Sequence, residues 1–352
     1  MDFPAPSQVS SARHEKELMG LRDLSTRLGG DPLLVQASNG NTSIKLDGIL
    51  WVKSSGKWLS RAMQEEMFVP LELAPFKASM RNAPDFDSLR VPQHELRPSI
   101  ETPMHAVIPH QVVIHVHSIN AITWAVRLDA RDQLKERLHA LHWQWIPYAA
   151  SGLPLAHAIA SAVMRAPDTD VFILGNHGLV VCGSDCDSVE LLLRDVERRL
   201  AISPRPFPKP ATNVLSTIVH SSSWQFPDDD SVHALSTDEV TRRILKGGVL
   251  YPCQAIFLGR SVPLLSSTCL ASEYVAPFGS KDATPPFIAV EGTGVLLNNK
   301  ISSEERATLL GLAQVAQRTD KSAKLRYLDP KEIANILDAG VYSSKDAPPP
   351  AE

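Results

Sequence analysis

The chain has 352 residues, of which 43% are hydrophobic and 21% are charged, and these values are typical of a globular protein with a sizeable core. The formal net charge of −4 gives no electrostatic attraction to nucleic acid or to an anionic membrane, so we expect neither as a partner. No stretch reaches the roughly 20 apolar residues that span a bilayer, and the N-terminal residues show no secretory-signal pattern. The four cysteines form no CxxC pair, and we expect reduced thiols and a cytoplasmic protein.

The predicted elements begin with a flexible tail over residues 1–12, followed by a helix with regularly spaced leucines. Residues 42–56 then predict a β-hairpin, because Asp47 and Gly48 form a dipeptide that favours tight hairpin turns. Residues 71–97 combine proline with charged side chains and are predicted to be irregular.

The rest of the N-terminal half continues with alternating helices and strands. Ser99 stands where a helix N-cap is expected, and the strand "VVIHVHS" follows that short helix. The later elements are predicted at 131–142 (helix), 153–165 (helix), 170–183 (strand, turn, strand) and 188–202 (helix).

Four prolines within residues 203–211 predict a domain boundary, because proline stops helices and stiffens linkers. Beyond it we predict strands at 249–258 and 287–297 and helices at 303–318 and 330–338, with a capping box between Ser302 and Glu305. The predicted organisation is a flexible tail (1–12), a first domain (13–203), a linker (204–211), an α/β extension (212–340) and a second flexible tail (341–352).

Two histidines occupy alternating positions of an otherwise apolar strand. Side chains alternate between the faces of a strand, so His115 and His117 lie side by side on the face opposite Val112, Ile114 and Val116. They could be two hydrogen-bonded histidines on a half-solvated face. They could also share a metal ion, which would remove the repulsion between two protonated imidazoles and suits the ligand preference of Zn²⁺.

A catalytic zinc site needs a third protein ligand and an open position. His177 is the best candidate, because it lies at a tight turn between Asn176 and Gly178, where the backbone can approach another group closely. The alternative, a turn histidine with no further role, fits the sequence equally well.

Proton chemistry at such a metal would also need a carboxylate, and Glu101 is the candidate. An acid in the first turn of a helix can simply favour the helix dipole, but the strand with His115 begins only about ten residues later. His105 shares the helical face of Glu101 and could either support the site or be a structural histidine.

Two permissive loops, "ASNGNTSIKL" and "VKSSGK", offer backbone N–H groups, hydroxyls and the amines of Lys53 and Lys57. Together with Ser99 they indicate a pocket for phosphate or carboxylate, although clusters of this composition are mostly turns. Neither a Walker loop nor a GxGxxG fingerprint occurs in the sequence.

Four segments, "SNGNTSIKL", "WVKSSGKWL", "PSIETPMH…VVIHVHS" and "GNHGLVVCG", resemble in order the class II aldolase/adducin family. That family includes fuculose-1-phosphate and rhamnulose-1-phosphate aldolases and ribulose-5-phosphate 4-epimerase, and the resemblance covers about residues 15–200. It implies an α/β fold of three layers, αβα, with a central, largely antiparallel sheet. It also implies a homo-oligomer, commonly a tetramer with active sites at subunit interfaces.

The resemblance assigns roles to individual positions. It implies that His115, His117 and His177 bind a divalent metal ion, usually Zn²⁺, and that Glu101 is the catalytic acid/base. It further implies that the substrate phosphate is held by Gly40, Asn41, Ser55, Gly56 and Ser99.

The activity implied is metal-dependent aldol cleavage or formation of a C–C bond in a small ketose or sugar phosphate, through a metal-stabilised enediolate. A decarboxylase or 4-epimerase would use the same metal site, and a non-catalytic, adducin-like binding protein is a third alternative. Ile100 stands where many family members have a second phosphate-binding serine, and the family's tyrosine proton donor has no counterpart between residues 118 and 145. We expect a structural or oligomer-building role for the C-terminal region.

Overall fold

The computed structural model describes residues 6–79, 95–219, 223–266 and 285–338. Residue contacts divide the chain into two compact units, and among the described residues the second comprises 122–131 and everything beyond 200. The first unit contains the remaining described residues. The flexible tail predicted for 341–352 lies outside the described part of the chain.

A seven-stranded sheet forms the centre of the first unit, in the order β3-β2-β1-β4-β7-β6-β5. All neighbours are antiparallel except β5 and β6, which are parallel. The strands are β1 (Asn41–Leu46), β2 (Ile49–Lys53), β3 (Phe68–Glu72), β4 (Val112–Val116), β5 (Trp143–Ile146), β6 (Val171–Leu174) and β7 (Gly178–Gly183). This arrangement confirms the predicted α/β class with a largely antiparallel central sheet.

Helices cover both faces of this sheet. Those in contact with its strands are α1 (Pro6–Gly29), α2 (Leu73–Ser79), α3 (Thr102–Val107), α6 (Leu153–Arg165) and α7 (Cys186–Leu200). Two further helices, α4 (Ile119–Ala125) and α5 (Ala130–Arg137), include residues that group with the second unit. On one face α3 and α6 bury Met104 and Leu155 against Val113 and Val180. On the other face α1 contacts Thr42, whose side chain points away from those of its strand neighbours. All five residues of β4 are therefore buried, rather than only those on one face.

Three local predictions for this unit are corrected by the structure. The helix α1 begins at Pro6, so residues 6–12 are helical and not a loose tail, in keeping with the preference of proline for the first helical turn. Residues 71–79 are regular, because β3 continues to Glu72 and α2 follows it directly. Ser99 is not the N-cap of α3, which begins at Thr102 with Glu101 in the N-cap position.

The predicted hairpin is confirmed. Asp47 and Gly48 both have positive φ, as a two-residue hairpin turn requires, and they join β1 to β2 in antiparallel register. Pro70 lies in β3 and is tolerated there because β3 is an edge strand of the sheet.

The second unit contains a four-stranded sheet in the order β8-β11-β10-β9. Its strands are β8 (Trp224–Gln225), β9 (Leu264–Leu265), β10 (Phe287–Val290) and β11 (Gly294–Asn298). Its helices are α8 (Thr212–Val219), a 3₁₀ turn (Asp230–His233), α9 (Ala234–Thr237), α10 (Glu239–Lys246), a π-helix (Gln254–Leu258), α11 (Ser303–Arg318) and α12 (Pro330–Asp338).

The strand predicted at 249–258 is wrong, because this apolar run ends in the π-helix. Leu250, Tyr251 and Cys253 are all buried, so the run lacks the alternation of a half-buried strand, and short apolar runs fit a buried helix equally well. The predicted helices at 303–318 and 330–338 are confirmed at both ends. No helix among the described residues has the length and apolarity needed to cross a membrane.

Candidate metal centre

Four side chains converge at one end of β4. Glu101, His115, His117 and His177 each offer a ligand atom, and these atoms lie within 4.8 Å of one another. All four side chains are buried, with 0–4% of each residue exposed. The structure therefore brings together every metal and acid/base residue that the sequence singled out, from segments up to 76 positions apart.

Strand β4 places the first two imidazoles on one face, as alternation predicts. The ring centroids of His115 and His117 lie 4.9 Å apart, and their Nε2 atoms face each other at 3.1 Å. On either side, His115 pairs with Asn41 of β1 and with Val180 of β7. Both neighbouring strands therefore hold this position of β4 in register.

His177 reaches the same point from the turn between β6 and β7. Asn176 before it has a φ of +52°, a left-handed conformation that asparagine tolerates better than most residues. At Gly178 a Cβ atom would lie 2.6 Å from the carbonyl oxygen of Val116, so only glycine lets β7 approach β4 this closely. The ring of His177 consequently stands 4.9 Å from that of His115.

Glu101 bridges two of the histidines. One carboxylate oxygen lies 3.2 Å from Nε2 of His115 and the other lies 3.1 Å from Nε2 of His177. Burial by itself raises the pKa of this carboxyl, but charge interactions with both imidazoles outweigh burial and hold the pKa well below its usual range. Glu101 is therefore a buried carboxylate.

The donor set fits a divalent metal ion. Nδ1 of His115 lies 3.0 Å from the carbonyl oxygen of Leu179 and must donate to it, so the neutral ring presents a lone pair at Nε2. That lone pair faces a carboxylate oxygen of Glu101, which cannot donate a hydrogen bond, and Nε2 of His117, which donates in only one tautomer of the neutral ring. Burial, followed by interactions with the other two histidines, lowers the pKa of His117 well below its usual range. A cation between these atoms would satisfy the lone pairs together.

Two neutral donors also hold the Glu101 carboxylate. Asn41 Nδ2 donates to Oε2 at 2.9 Å, and Ser151 Oγ donates to Oε1 at 3.2 Å. Ser151 was not predicted from the sequence; it lies just before α6 in a Ser-Gly pair that is typical of turns. The signal that could have indicated it is its position at the start of a helix, where polar side chains gather.

The residues predicted to hold phosphate lie around this centre. The side-chain amide of Asn41 donates to Ser99 Oγ at 3.2 Å, in addition to its hydrogen bond to Glu101. Ser55 N donates to the carbonyl oxygen of Arg97 at 2.9 Å, which brings the exposed Ser55-Gly56 turn next to the segment before Glu101. Gly40, Asn41, Ser55, Gly56 and Ser99 are thus brought together, and their binding of phosphate stays a prediction.

Lys53 lies beneath these loops rather than on the surface. Only 2% of the residue is exposed, and its Nζ donates to the carbonyl oxygen of Ser38 at 2.8 Å. Burial lowers the pKa of Lys53 to about 7, against a smaller opposing effect from Glu101. The amine therefore changes its protonation state near neutral pH.

The chain that follows His117 is anchored by a further carboxyl group. Glu197 of α7 accepts hydrogen bonds from Ser118 Oγ and from Asn120 Nδ2, the latter at 3.0 Å. Burial raises the pKa of Glu197 in spite of these two donors. The contacts fix the end of β4 on the α7 side of the sheet.

Residues 23–203, more than half of the chain, match the family model described as the Class II Aldolase and Adducin N-terminal domain. The chain therefore belongs to the class II aldolase/adducin family, as the sequence motifs predicted.

A curated protein is similar over about half of the chain. "Uncharacterized oxidoreductase YuxG" of Bacillus subtilis (strain 168) is 29% identical over 181 residues, which are 47% of this chain and 26% of that relative. The chain thus spans about a quarter of the length of this curated relative.

Two solved structures are also similar to part of the chain. The N-terminal class II aldolase domain of a conserved protein from Thermoplasma acidophilum is 22% identical, with a TM-score of 0.46, and the match covers 57% of this chain and 94% of that one. L-fuculose-1-phosphate aldolase from Thermus thermophilus is 17% identical, with a TM-score of 0.39, and the match covers 53% and 91%.

Proposed function

We propose that the protein is a metal-dependent aldolase that cleaves or forms a C–C bond in a small ketose or sugar phosphate. The observation that supports this most directly is the buried carboxylate of Glu101, which lies between the imidazoles of His115 and His177. A carboxylate beside a potential metal site is the group that such a reaction needs for proton transfer.

The three imidazoles would hold the metal ion, and Zn²⁺ is the proposed ion because it favours three nitrogen ligands with an open position. When bound, the ion would polarise adjacent carbonyl and hydroxyl oxygens of the substrate. Glu101 would move the proton at the carbon next to the carbonyl group, and Asn41 and Ser151 would hold its two oxygens in place.

The polar end of the substrate is proposed to bind where the two permissive loops meet Ser99. Gly40 and Gly56 both have positive φ, and loops with such permissive backbone can direct N–H groups at an anion. Lys53 lies next to Ser99, and its amine would supply positive charge to an anionic substrate in the protonated form, which burial disfavours. A phosphorylated sugar and a sugar acid both carry the anionic group that such a site would bind.

Metal binding is tested first by substitution of single ligands. We expect His115→Ala and His177→Ala to lower metal affinity by about 100-fold or more, because each removes one of three imidazoles. Glu101→Gln should retain the metal but lower turnover by about 10²–10⁴-fold, since a neutral amide cannot accept the proton. Metal content after dialysis and initial rates measure both effects, with the exposed His139→Ala as control.

The substrate is sought with a panel of ketose phosphates, free ketoses and sugar acids, assayed with Zn²⁺, Mn²⁺ and Co²⁺. Release of an aldehyde supports aldol cleavage, whereas release of CO₂ or formation of an epimer would replace it with decarboxylation or epimerisation. Full activity after exhaustive chelation would contradict the proposal. Absence of stoichiometric metal in the purified protein would instead support an adducin-like binding role.

The proposal includes assembly into a homo-oligomer, with a tetramer expected from the family resemblance. Light scattering coupled to size-exclusion chromatography gives the molar mass, and a monomer at assay concentration with full activity would contradict this part.

A further inference from the structure

A continuous chain of buried hydrogen bonds leads from β1 through α3 to Glu101. Ser43 Oγ lies 2.7 Å from Nδ1 of His105, and Nε2 of the same ring is hydrogen-bonded to Oδ1 of Asn41. Asn41 Nδ2 then donates to Glu101 Oε2 at 2.9 Å. His105 itself is fully buried, and these bonds connect its ring to Glu101 through the side chain of Asn41.

The chemistry of the groups determines the direction of every donor in this chain. A carboxylate only accepts, so Asn41 must turn its NH₂ group to Glu101 and its carbonyl oxygen to His105. Nε2 of His105 must therefore carry the hydrogen, and Nδ1 must accept the hydroxyl hydrogen of Ser43. Burial lowers the pKa of His105 well below its usual range, which is consistent with a neutral ring of one tautomer.

The opposite orientation of Asn41 would be unfavourable. It would place the amide oxygen against the carboxylate of Glu101 and the NH₂ group against the N–H of His105, so that both contacts become repulsive. Because these groups are buried, no bulk water would compensate for the lost hydrogen bonds. The N–H of His105 thus holds the Asn41 amide in the orientation in which it also donates to Glu101.

We propose that His105 is a positioning residue for Glu101 that acts through the side chain of Asn41. The catalytic part of this proposal rests on the proposed role of Glu101 as acid/base. The hydrogen bond from Asn41 fixes Oε2, so that Oε1, beside His177 and Ser151, is the oxygen oriented for proton transfer. Loss of the ring would release the amide and let the carboxylate rotate.

Two substitutions of His105 by side chains of similar size distinguish a positioning role of the ring from a role in filling space. His105→Gln retains an N–H donor for Asn41 and a carbonyl oxygen for Ser43, whereas His105→Leu provides neither. With the substrate found by the panel above, we expect His105→Leu to lower kcat by 10-fold or more, with KM and metal content changed less than 3-fold. His105→Gln should stay within about 3-fold of the wild type in all three.

Equal kcat values in the wild type and the leucine variant would overturn the proposal. A folded glutamine variant with a kcat as low as that of the leucine variant would also overturn it. If His105→Leu does not fold, Ser43→Ala takes its place. It removes the hydroxyl that fixes the tautomer, and a kcat reduced at least 3-fold at unchanged metal content supports the proposal, whereas wild-type kcat contradicts it.

The geometry can be tested without any assay. Neutron diffraction from wild-type crystals locates hydrogen atoms, and we expect one on Nε2 of His105, none on Nδ1, and the NH₂ group of Asn41 toward Glu101. A hydrogen on Nδ1, or the reversed amide, would overturn the proposal. If no sugar of the panel is turned over but this hydrogen pattern is found, the proposed function fails while the positioning of Glu101 stands.

Discussion

Two glycines let the strands around the metal centre approach each other, and each would clash with backbone if it carried a side chain. A Cβ atom at Gly40 would lie 2.9 Å from the carbonyl oxygen of His115, and one at Gly178 would lie 2.6 Å from that of Val116. Both oxygens belong to β4, which is paired on both sides and cannot shift without moving the histidines it carries.

Substitution by alanine should cost different amounts of stability at two glycines that both have positive φ. Gly48 has a φ of +81° and open space around it, whereas Gly40 has a φ of +68° and the close contact with β4. We expect Gly48→Ala to lower the free energy of unfolding by about 1 kcal/mol through backbone strain alone. Gly40→Ala should lower it by about 3 kcal/mol and also weaken metal binding. Urea denaturation and metal titration measure these effects.

Equal losses of stability in the two alanine variants, together with wild-type metal affinity in the Gly40 variant, would show that the added methyl group is accommodated without moving β4. That outcome would contradict the role given to the close contact at Gly40.

At the scale of single residues, a neighbourhood could be predicted from the sequence where it follows from the periodicity of one strand or helix. The common face of His115 and His117 follows from strand alternation, and the observed distance between the rings confirms it. Ser151 could not be found in this way, because the 50 residues that separate it from Glu101 carry no information about their contact. The burial of Lys53 likewise depends on loops that come from elsewhere in the chain.

Elements with complete local signals were predicted to their ends. The helix α11 begins where expected because Ser302 Oγ accepts from Glu305 N and the Glu305 carboxylate accepts from Ser302 N. The short helix α3 was placed too early, since Ser99 accepts from Glu101 N without starting a helix. A polar residue before a helix thus indicates only approximately where the helix starts. The backbone conformation of the following turn determines the residue at which the helix begins.

The capping box gives a prediction for α11. Ser302→Ala should lower the free energy of unfolding by about 1 kcal/mol, because it leaves the N–H of Glu305 without its partner. Ser303→Ala is the matched control, since that hydroxyl donates to the neighbouring Glu304 side chain and caps nothing. Urea denaturation of the full chain measures both, and a control that loses as much stability as Ser302→Ala would contradict a capping role.

A buried histidine under the β10–β11 hairpin predicts acid sensitivity. His233 Nδ1 accepts from Val295 N at 3.0 Å, and burial lowers the pKa of His233, so folding favours the neutral ring. A base with a lowered pKa in the folded state contributes stability above its usual pKa of about 6.5, and this stability is lost as the pH falls below that value.

We therefore expect the wild type to lose stability between about pH 6.5 and pH 5 more steeply than His233→Gln, whose amide oxygen can accept from Val295 without titrating. Urea midpoints across this range measure the difference, and the exposed His157→Gln serves as control. Parallel pH profiles for the wild type and His233→Gln would refute the assignment.

At the scale of the whole molecule, the two compact units defined by residue contacts are not two continuous stretches of the sequence. The proline-rich segment marks the predicted boundary near residue 203, and the division into domains at that point stays a prediction. Residues 122–131, far upstream of it, group with the second unit. There, Leu128 N donates to the carbonyl oxygen of Lys324 at 2.9 Å, and Arg326 N donates to that of Val126 at 2.8 Å.

Truncation after residue 203 tests the structural role proposed for the C-terminal region. The shortened chain would lose the backbone partners of Val126 and Leu128, so we expect its melting temperature to fall by roughly 5 °C or more. A chain that ends at residue 338 retains these bonds and is the control. Unchanged melting temperature, molar mass and turnover after truncation at 203 would show that the C-terminal region has no such role.

The sequence by itself determined the period of most elements, the placement of His115 and His117 on one face, the hairpin at Asp47-Gly48 and the family of the chain. These are properties of neighbouring residues, because alternation, caps and turn dipeptides act within a few positions. Only the tertiary structure decided that both faces of β4 are buried and that Ser151 touches Glu101. It also decided that the side chains of Asn41 and His105 are hydrogen-bonded, since each of these contacts joins segments that the chain keeps far apart and only packing brings together.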